Sequence, residues 1–371
     1  MKTPTCSPET FSPLLRDGVD VYFNQGDEVT FVYLATRKRL YVACEGFLQD
    51  SLAWLTGRST LTELLARLPQ SENQSAQKKF LSFIDYLFGR GIVVDKDWIN
   101  DLPFPPDYLL RLERHMNFLL DLCGTPDGVV SVQESVCSCT VGLVGVGAVG
   151  GWLCAVLPMM GFGKFILIDP AVVGPSSLSR HAFHRTDLVG MPKVQAAEAF
   201  IKAVDLSADV RTHQVAVIPE TDLSLILGDA SIIINTADEP YIGHLNIVLG
   251  RFAFRKGIPF FAGGGFDAHL GCAGELLVKG KTPCADCYSA YFKQAVADWK
   301  PVTHPVHFRR NSFGGLPTLA AFSAFSAAIA LLRYFIDGSI TSDRTELYFQ
   351  AYKQEHFKIS KRENCKFCNH P

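Results

Sequence analysis

The sequence predicts an α/β fold, in which a doubly wound, mostly parallel sheet in the C-terminal part follows a small α+β unit. Three observations carry this reading. From residue 140 onward, short apolar runs alternate with helical patterns, the pattern of parallel strands joined by crossover helices. The first of those runs ends in Gly145-Val-Gly147-Ala-Val-Gly150, a GxGxxG turn whose backbone N–H groups can approach a phosphate at a helix N-terminus. Upstream, Pro103, Pro105 and Pro106 separate this region from a segment of different periodicity. The expected domains are residues 1–100 and 107–371.

In the first segment, Val19–Phe23 and Val29–Leu34 read as strands around the turn residues Gln25-Gly26-Asp27. Lys38–Ala43 is a third strand. Phe47, Leu48, Leu52 and Leu55 then recur at helical spacing and stop at Gly57. Thr60 with Glu63 forms a capping box for a second helix. Phe80, Phe83, Ile84 and Leu87 mark a third, stopped by Gly89, and Gly91–Val94 reads as an extended wing. After the prolines the pattern predicts a helix over 107–123, then a polar, glycine-containing connection to 139.

In the second segment, Thr140–Val144, Phe165–Ile168 and Ser231–Asn235 are buried strands, with a helix from Pro192 to Val204 between them. The apolar run Leu316–Leu332 is only as long as the shortest membrane spans. It is rich in Ala and Ser, contains Pro317 and ends at Arg333, so it reads as a buried helix and predicts no membrane association.

The 371 residues suit two or three domains, and the formal charge of −2 gives no broad basic surface for nucleic acid. The N-terminal pattern would also suit a winged-helix DNA binder, but no Lys/Arg-rich recognition helix accompanies it. Eleven cysteines show no disulfide framework. With no signal peptide evident, a reducing cytoplasm is expected. Four of the cysteines form two CxxC pairs, Cys284-Ala-Asp-Cys287 and Cys365-Lys-Phe-Cys368. Each pair turns two thiolates toward one ion, and two pairs complete a closed Cys₄ zinc site of structural type.

The glycine turn alone would suit a dinucleotide. Asp169, at the end of the second strand, can bond ribose hydroxyls. Arg180 and Lys193 follow it, and two cations suit a triphosphate better than a pyrophosphate. Asp238 follows the strand ending at Asn235, where one carboxylate plus phosphate oxygens is a normal magnesium arrangement.

From about residue 107 to the end, the chain resembles the E1-like adenylating enzymes of ThiF/MoeB type. The likeness rests on Gly145–Gly150, Asp169, Ser176-Ser-Leu-Ser-Arg180, Val189-Gly-Met-Pro-Lys193, Thr236-Ala-Asp238, both cysteine pairs and the apolar helix after Gly314-Gly315. It implies a Rossmann-like domain that binds ATP and Mg²⁺, usually as a homodimer. In such an enzyme a peptide carboxylate attacks the α-phosphate to give an acyl adenylate and pyrophosphate. Transferred residue by residue, Gly145, Gly147, Gly150, Asp169 and Ser177 would hold the nucleotide. Arg180 and Lys193 would neutralise the phosphates, and Asp238 would hold magnesium. Arg114 would be the residue reaching the partner's ATP; Arg111 lies beside it, and the second arginine position falls on Asn117. The family's second Asp position is Ala171 and its Asn position is Ser177. Cys272 reads as a structural thiol rather than a thioester former.

The N-terminal unit resembles the PqqD-like recognition domains of ribosomal-peptide biosynthesis, which add a leader peptide as a strand to a sheet edge. The combination implies adenylation of glutamate side chains in a precursor peptide, followed by backbone amide attack that closes a bicycle. A peptidyl–AMP joined through nitrogen, or activation of a ubiquitin-like sulfur carrier, is the alternative.

Overall fold

The computed structural model describes residues 8–44, 46–68, 73–238, 242–264, 271–295, 315–340 and 343–368. The chain forms two compact units, Met1–Glu134 and Ser135–Pro371.

The first unit runs β1 (Pro13–Leu15), β2 (Val19–Phe23), β3 (Glu28–Tyr33), β4 (Arg39–Ala43), α1 (Gly46–Ser51), α2 (Leu61–Ala66), α3 (Asn73–Phe88), β5 (Val93–Asp95), α4 (Pro106–Cys123) and most of α5 (Pro126–Ser138). The capping box at Thr60 is present: Thr60 Oγ1 accepts from Glu63 N at 3.3 Å, and Thr60 N donates to Glu63 Oε2 at 2.9 Å. The wing is β5, which pairs antiparallel with β1, a short strand without a periodic signal of its own. Strands β2, β3 and β4 form an antiparallel sheet in that order. Phe31, Phe80, Leu64 and Ile84 centre its core. No strand among the described residues lies beyond β2 or β4.

Two features depart from the sequence reading. The connection 124–139 is helical. Thr125 Oγ1 accepts from Gly128 N at 3.2 Å, and Pro126 opens α5, a start signal that outweighs the glycine. Helix α4, placed after the boundary prolines, is tied into the first unit by Arg16. The buried Arg16 side chain donates to Gly91 O at 2.6 Å and Asn117 O at 3.1 Å and pairs with Asp121. Removing one partner of such a buried pair costs about 3–5 kcal/mol.

The second unit is β6 (Thr140–Val144), α6 (Ala148–Met159), β7 (Lys164–Ile168), α7 (Lys193–Val204), β8 (Asp209–His213), α8 (Leu223–Leu227), β9 (Ile232–Asn235), α9 (Ile242–Lys256), β10 (Phe260–Ala262), β11 (Glu275–Leu277), α10 (Ala285–Ala295), α11 (Pro317–Asp337) and the hairpin β12 (Arg344–Tyr348)–β13 (Lys353–Phe357). The six-stranded sheet is ordered β11-β10-β9-β6-β7-β8. Only β11 is antiparallel to its neighbour. Its interior is apolar, as strands covered on both faces require.

Helix α11 is long and apolar enough to cross a bilayer by length and composition. It packs along α6, with Trp152 of α6 meeting Phe325 edge-on at 5.8 Å, and its buried positions include the small residues Ser323, Ala324, Ala327 and Ala328. Phe325 and Ile329 are exposed, so the helix is buried on one face rather than all round.

Candidate functional site

Register places the site. Val144 of β6 lies level with Ile168 of β7 and Asn235 of β9, so Gly145, Asp169 and Thr236 leave the sheet side by side at its carboxyl edge. Strand order diverges there, β7 to one side of β6 and β9 to the other, and such switch points hold ligands in open α/β sheets.

The glycine turn is packed against the β9 end. Gly145 has φ +91°, and a Cβ on it would sit 2.5 Å from Ala237 N. A Cβ on Gly150 would fall 2.0 Å from Gly145 O. Around Gly147 nothing lies within 4 Å of a Cβ position, and Gly147 caps α6 without a side-chain bond. The first-turn amides of α6 thus lack intrahelical acceptors and form an anion-binding end.

Asp169 is buried and committed to this loop. Its Oδ2 accepts from Val146 N at 2.7 Å and its Oδ1 from Ala171 N at 2.8 Å. Its structural task is to shape the turn, and further lone pairs remain for a ligand hydroxyl. Thr236 Oγ1 donates to Gly145 O at 2.6 Å. Buried Asn235 donates to Asn246 Oδ1 at 2.8 Å and accepts from Ala237 N at 3.2 Å. This network fixes the segment that ends at exposed Asp238. Sequence reasoning named Thr236 only as part of the Thr236-Ala-Asp238 motif and gave Asn235 and Asn246 no role; an amide closing an all-isoleucine strand was the available signal.

Lys193 opens α7, and its N–H bonds Ala171 O at 3.0 Å. Ser177 is buried in a 3-10 turn, where its Oγ accepts from Gly174 N at 3.3 Å. Arg180 follows, with its Nε buried. Arg114 lies in the first unit, on an exposed face of α4 with Leu110, Phe118 and Leu122. Cys272 is fully buried and accepts from Gly274 N at 3.3 Å, as a structural thiol would.

Two histidines beside the cations were not anticipated. The His181 and His184 rings stack at 4.4 Å between centroids and are 7% and 8% exposed. Burial, then the neighbouring His184, Lys193 and Arg180, push His181 down to about 3. Burial and Lys193 push His184 down to about 4, with Asp169 opposing. In the unfolded chain both rings take up protons below about pH 6.5. The unfolded state therefore binds more protons across that window. Stability is full above pH 6.5 and falls as pH drops toward 4. The expected slope is up to about 1.4 kcal/mol per pH unit for each histidine. Urea midpoints from neutral to acidic pH check this, and a His181→Gln/His184→Gln double variant should flatten the dependence.

The four cysteines of the two CxxC pairs come together away from this edge. Their Sγ atoms all lie within 4.8 Å of one another. Cys284–Cys365 and Cys287–Cys368 are 3.6 and 3.5 Å apart. Bonds of about 2.3 Å from a tetrahedral ion would set the sulfurs roughly 3.8 Å apart, so the set fits one metal. Backbone N–H groups of Cys284, Arg362 and Cys368 donate to the sulfurs.

The ThiF family model matches residues 113–369. The SAMP-activating enzyme E1 of Haloferax volcanii is 27% identical over 70% of this chain and 88% of its own. The chain spans only 41% of the adenylyltransferase and sulfurtransferase UBA4 of Candida glabrata. Among solved structures, E. coli MccB with ATP superposes with a TM-score of 0.66 at 18% identity, over 96% of this chain and 99% of that one. PaaA superposes with a TM-score of 0.68 at 19% identity, over 94% and 100%. These two likenesses cover both units and show the fold. The chain belongs to the ThiF family of ATP-dependent adenylating enzymes.

Proposed function

We propose that the enzyme adenylates a carboxylate of a ribosomally made precursor peptide. The single observation that carries this is the occurrence, in one chain, of the carboxyl-edge constellation and a separate unit whose sheet has no further strand at either edge among the described residues. In the proposed site, the α6 amides, Gly145, Gly147, Gly150 and Ser177 receive the nucleotide, and Asp169 meets the ribose. Arg180 and Lys193 stabilise charge developing on the phosphates. Asp238 binds Mg²⁺ with phosphate oxygens as the other ligands, and Arg114 serves a partner copy in a cytoplasmic homodimer. Zinc fills the Cys₄ set.

Residues 1–100 hold the leader. Hydrogen-bond alternation fixes which amides are available. Asn24 N bonds Glu28 O across β2–β3, and Cys44 N bonds Asp27 O across β3–β4. With the observed registers, the N–H groups of Val21 and Tyr41 point away from β3, toward the open edges. An extended peptide can add there. Solved MccB structures contain its peptide MccA, which supports a peptide as the substrate here. For the product, we favour glutamate activation followed by backbone amide attack, giving a pantocin A-like bicycle. The Haloferax and UBA4 likenesses favour sulfur-carrier activation as the second reading.

The test uses ATP, Mg²⁺ and candidate precursors, with pyrophosphate release and peptide mass as readouts. Loss of water marks cyclisation, and gain of AMP marks a stable conjugate. Turnover only with a carrier protein's C-terminus would defeat the peptide reading. Val21→Pro or Tyr41→Pro removes one outward N–H without touching the existing ladder. The variant on the edge that takes the leader should weaken precursor binding roughly tenfold while leaving ATP affinity unchanged. Unchanged binding in both would eliminate edge addition. Point changes suit this test better than deleting residues 1–100, which would strand Asp121 without Arg16.

A further inference from the structure

The His181–His184 pair has a chemistry that nucleotide binding does not use. Among the described residues, all four ring nitrogens are buried without a hydrogen-bond partner, as are Arg180 Nε and Trp152 Nε1. Each such group costs about 1–3 kcal/mol when left unsatisfied, so packing alone would favour apolar side chains. Aromatic contacts hold the pair firmly: Phe183 stacks on Phe200 at 4.8 Å and meets His184 edge-on at 5.0 Å. The pair also adjoins the nucleotide turn, since a Cβ on Gly151 would lie 3.8 Å from His181 Cβ. Stacked rings 29° apart do not converge on a metal.

We propose that this pair is the proton acceptor for the step after adenylation, in which a backbone amide of the peptide attacks the acyl adenylate. The inference rests on the reading that the activated carboxylate is captured within the peptide. The balance is complete. The amide nitrogen forms a bond to the acyl carbon, and the acyl C–O bond to phosphate breaks. AMP departs with the bonding electrons, and the amide proton passes to a ring nitrogen and then to water. A base must start neutral; burial and Lys193 keep both rings so, with Arg180 acting further on His181. Asp169 acts on His184 in the opposite sense. Burial is the larger cause of the depression; anionic phosphates bound by the cations would offset the cations' share of it and raise the rings' proton affinity by that part. The acceptor would thus be strengthened only when nucleotide is present.

His181→Gln and His184→Gln keep a polar side chain that cannot take the proton, and His184→Phe keeps the aromatic contact. Full-length enzyme and variants are given ATP, Mg²⁺ and a candidate precursor with a glutamate-containing core. ATP–pyrophosphate exchange reads adenylation, and mass spectrometry reads dehydrated peptide. Exchange should stay within about threefold, while dehydration slows by about 10²–10⁴ and peptidyl adenylate accumulates. Thermal melts identify which variants are folded. Wild-type dehydration rates in the folded variants would overturn the proposal, as would equal loss of exchange and dehydration. No exchange in the wild-type enzyme would instead refute the adenylation reading. Exchange that ends in a stable AMP conjugate would leave adenylation standing and overturn the histidine role.

Discussion

Asp238→Ala is expected to abolish pyrophosphate release, by at least about a hundredfold, in a protein that melts at the wild-type temperature. Both halves follow from where the residue sits. Asp238 is exposed, beyond the end of β9, so its removal leaves no cavity and no buried partner stranded. Exposed substitutions of that kind stay within about 0.5 kcal/mol. The segment that presents it is held by other groups, namely Thr236 on Gly145 O and Asn235 on Ala237 N. The loop should therefore keep its course when the carboxylate is gone. On the proposed assignment, what is lost is the ligand that would hold Mg²⁺ at the carboxyl edge, and with the ion the positive charge that would offset the triphosphate. Asp238→Asn should be nearly as inactive, because the amide keeps the shape without the charge. Pyrophosphate release and thermal shift, each with and without Mg²⁺, check both halves. Full turnover in the alanine variant would remove Asp238 from the metal site. A large drop in melting temperature would assign it a structural role instead.

The sheet and much of its edge were legible in the sequence because local chemistry dictated them. Apolar runs announced β6, β7 and β9, and the spacing of Gly145, Gly147 and Gly150 announced the turn. Short or mixed strands were not legible. β8 reads Asp-Val-Arg-Thr-His and β10 has three residues; both become strands only because a neighbour's backbone needs pairing. The polar network behind the site was hidden for a different reason. Asn235 and Asn246 are ordinary residues until a parallel register and a helix bring them within 2.8 Å. His181 and His184 likewise look like loop residues in sequence. Their meaning comes from burial beside Lys193, which is distant from them in sequence but not in space.

Cys365→Ser is expected to reduce bound zinc from about one ion per chain and to lower the folded yield before it alters chemistry. The four thiols close two distant stretches of the second unit on each other. Cys284 and Cys287 flank the start of α10, while Cys365 and Cys368 end the tail beyond β13. Beside the thiols, Ile359 of the tail joins the adjoining core and Phe367 packs on Phe254. The metal-binding free energy of such sites is folding free energy, about 10–16 kcal/mol in isolated zinc-finger peptides. Losing one of four thiolates should therefore cost several kcal/mol here. Charge points the same way. Four thiolates around a divalent ion carry a net −2, and Arg251 and Arg255 lie 5.9 and 5.7 Å from the Phe367 ring centre, with Lys279 5.3 Å from that of Phe254. Burial pushes the Cys365 thiol up, but backbone donors and the neighbouring Cys287 and Cys284 thiols outweigh it and hold Cys365 below its ordinary value, so its substitution removes a readily ionised ligand. Metal analysis, with melts before and after chelation, tests this directly. Soluble, active wild-type protein without metal would refute the zinc assignment. A chelated enzyme that melts early yet adenylates at low temperature would support a purely structural ion, because the clamp lies away from the nucleotide edge and acts on it only through the fold.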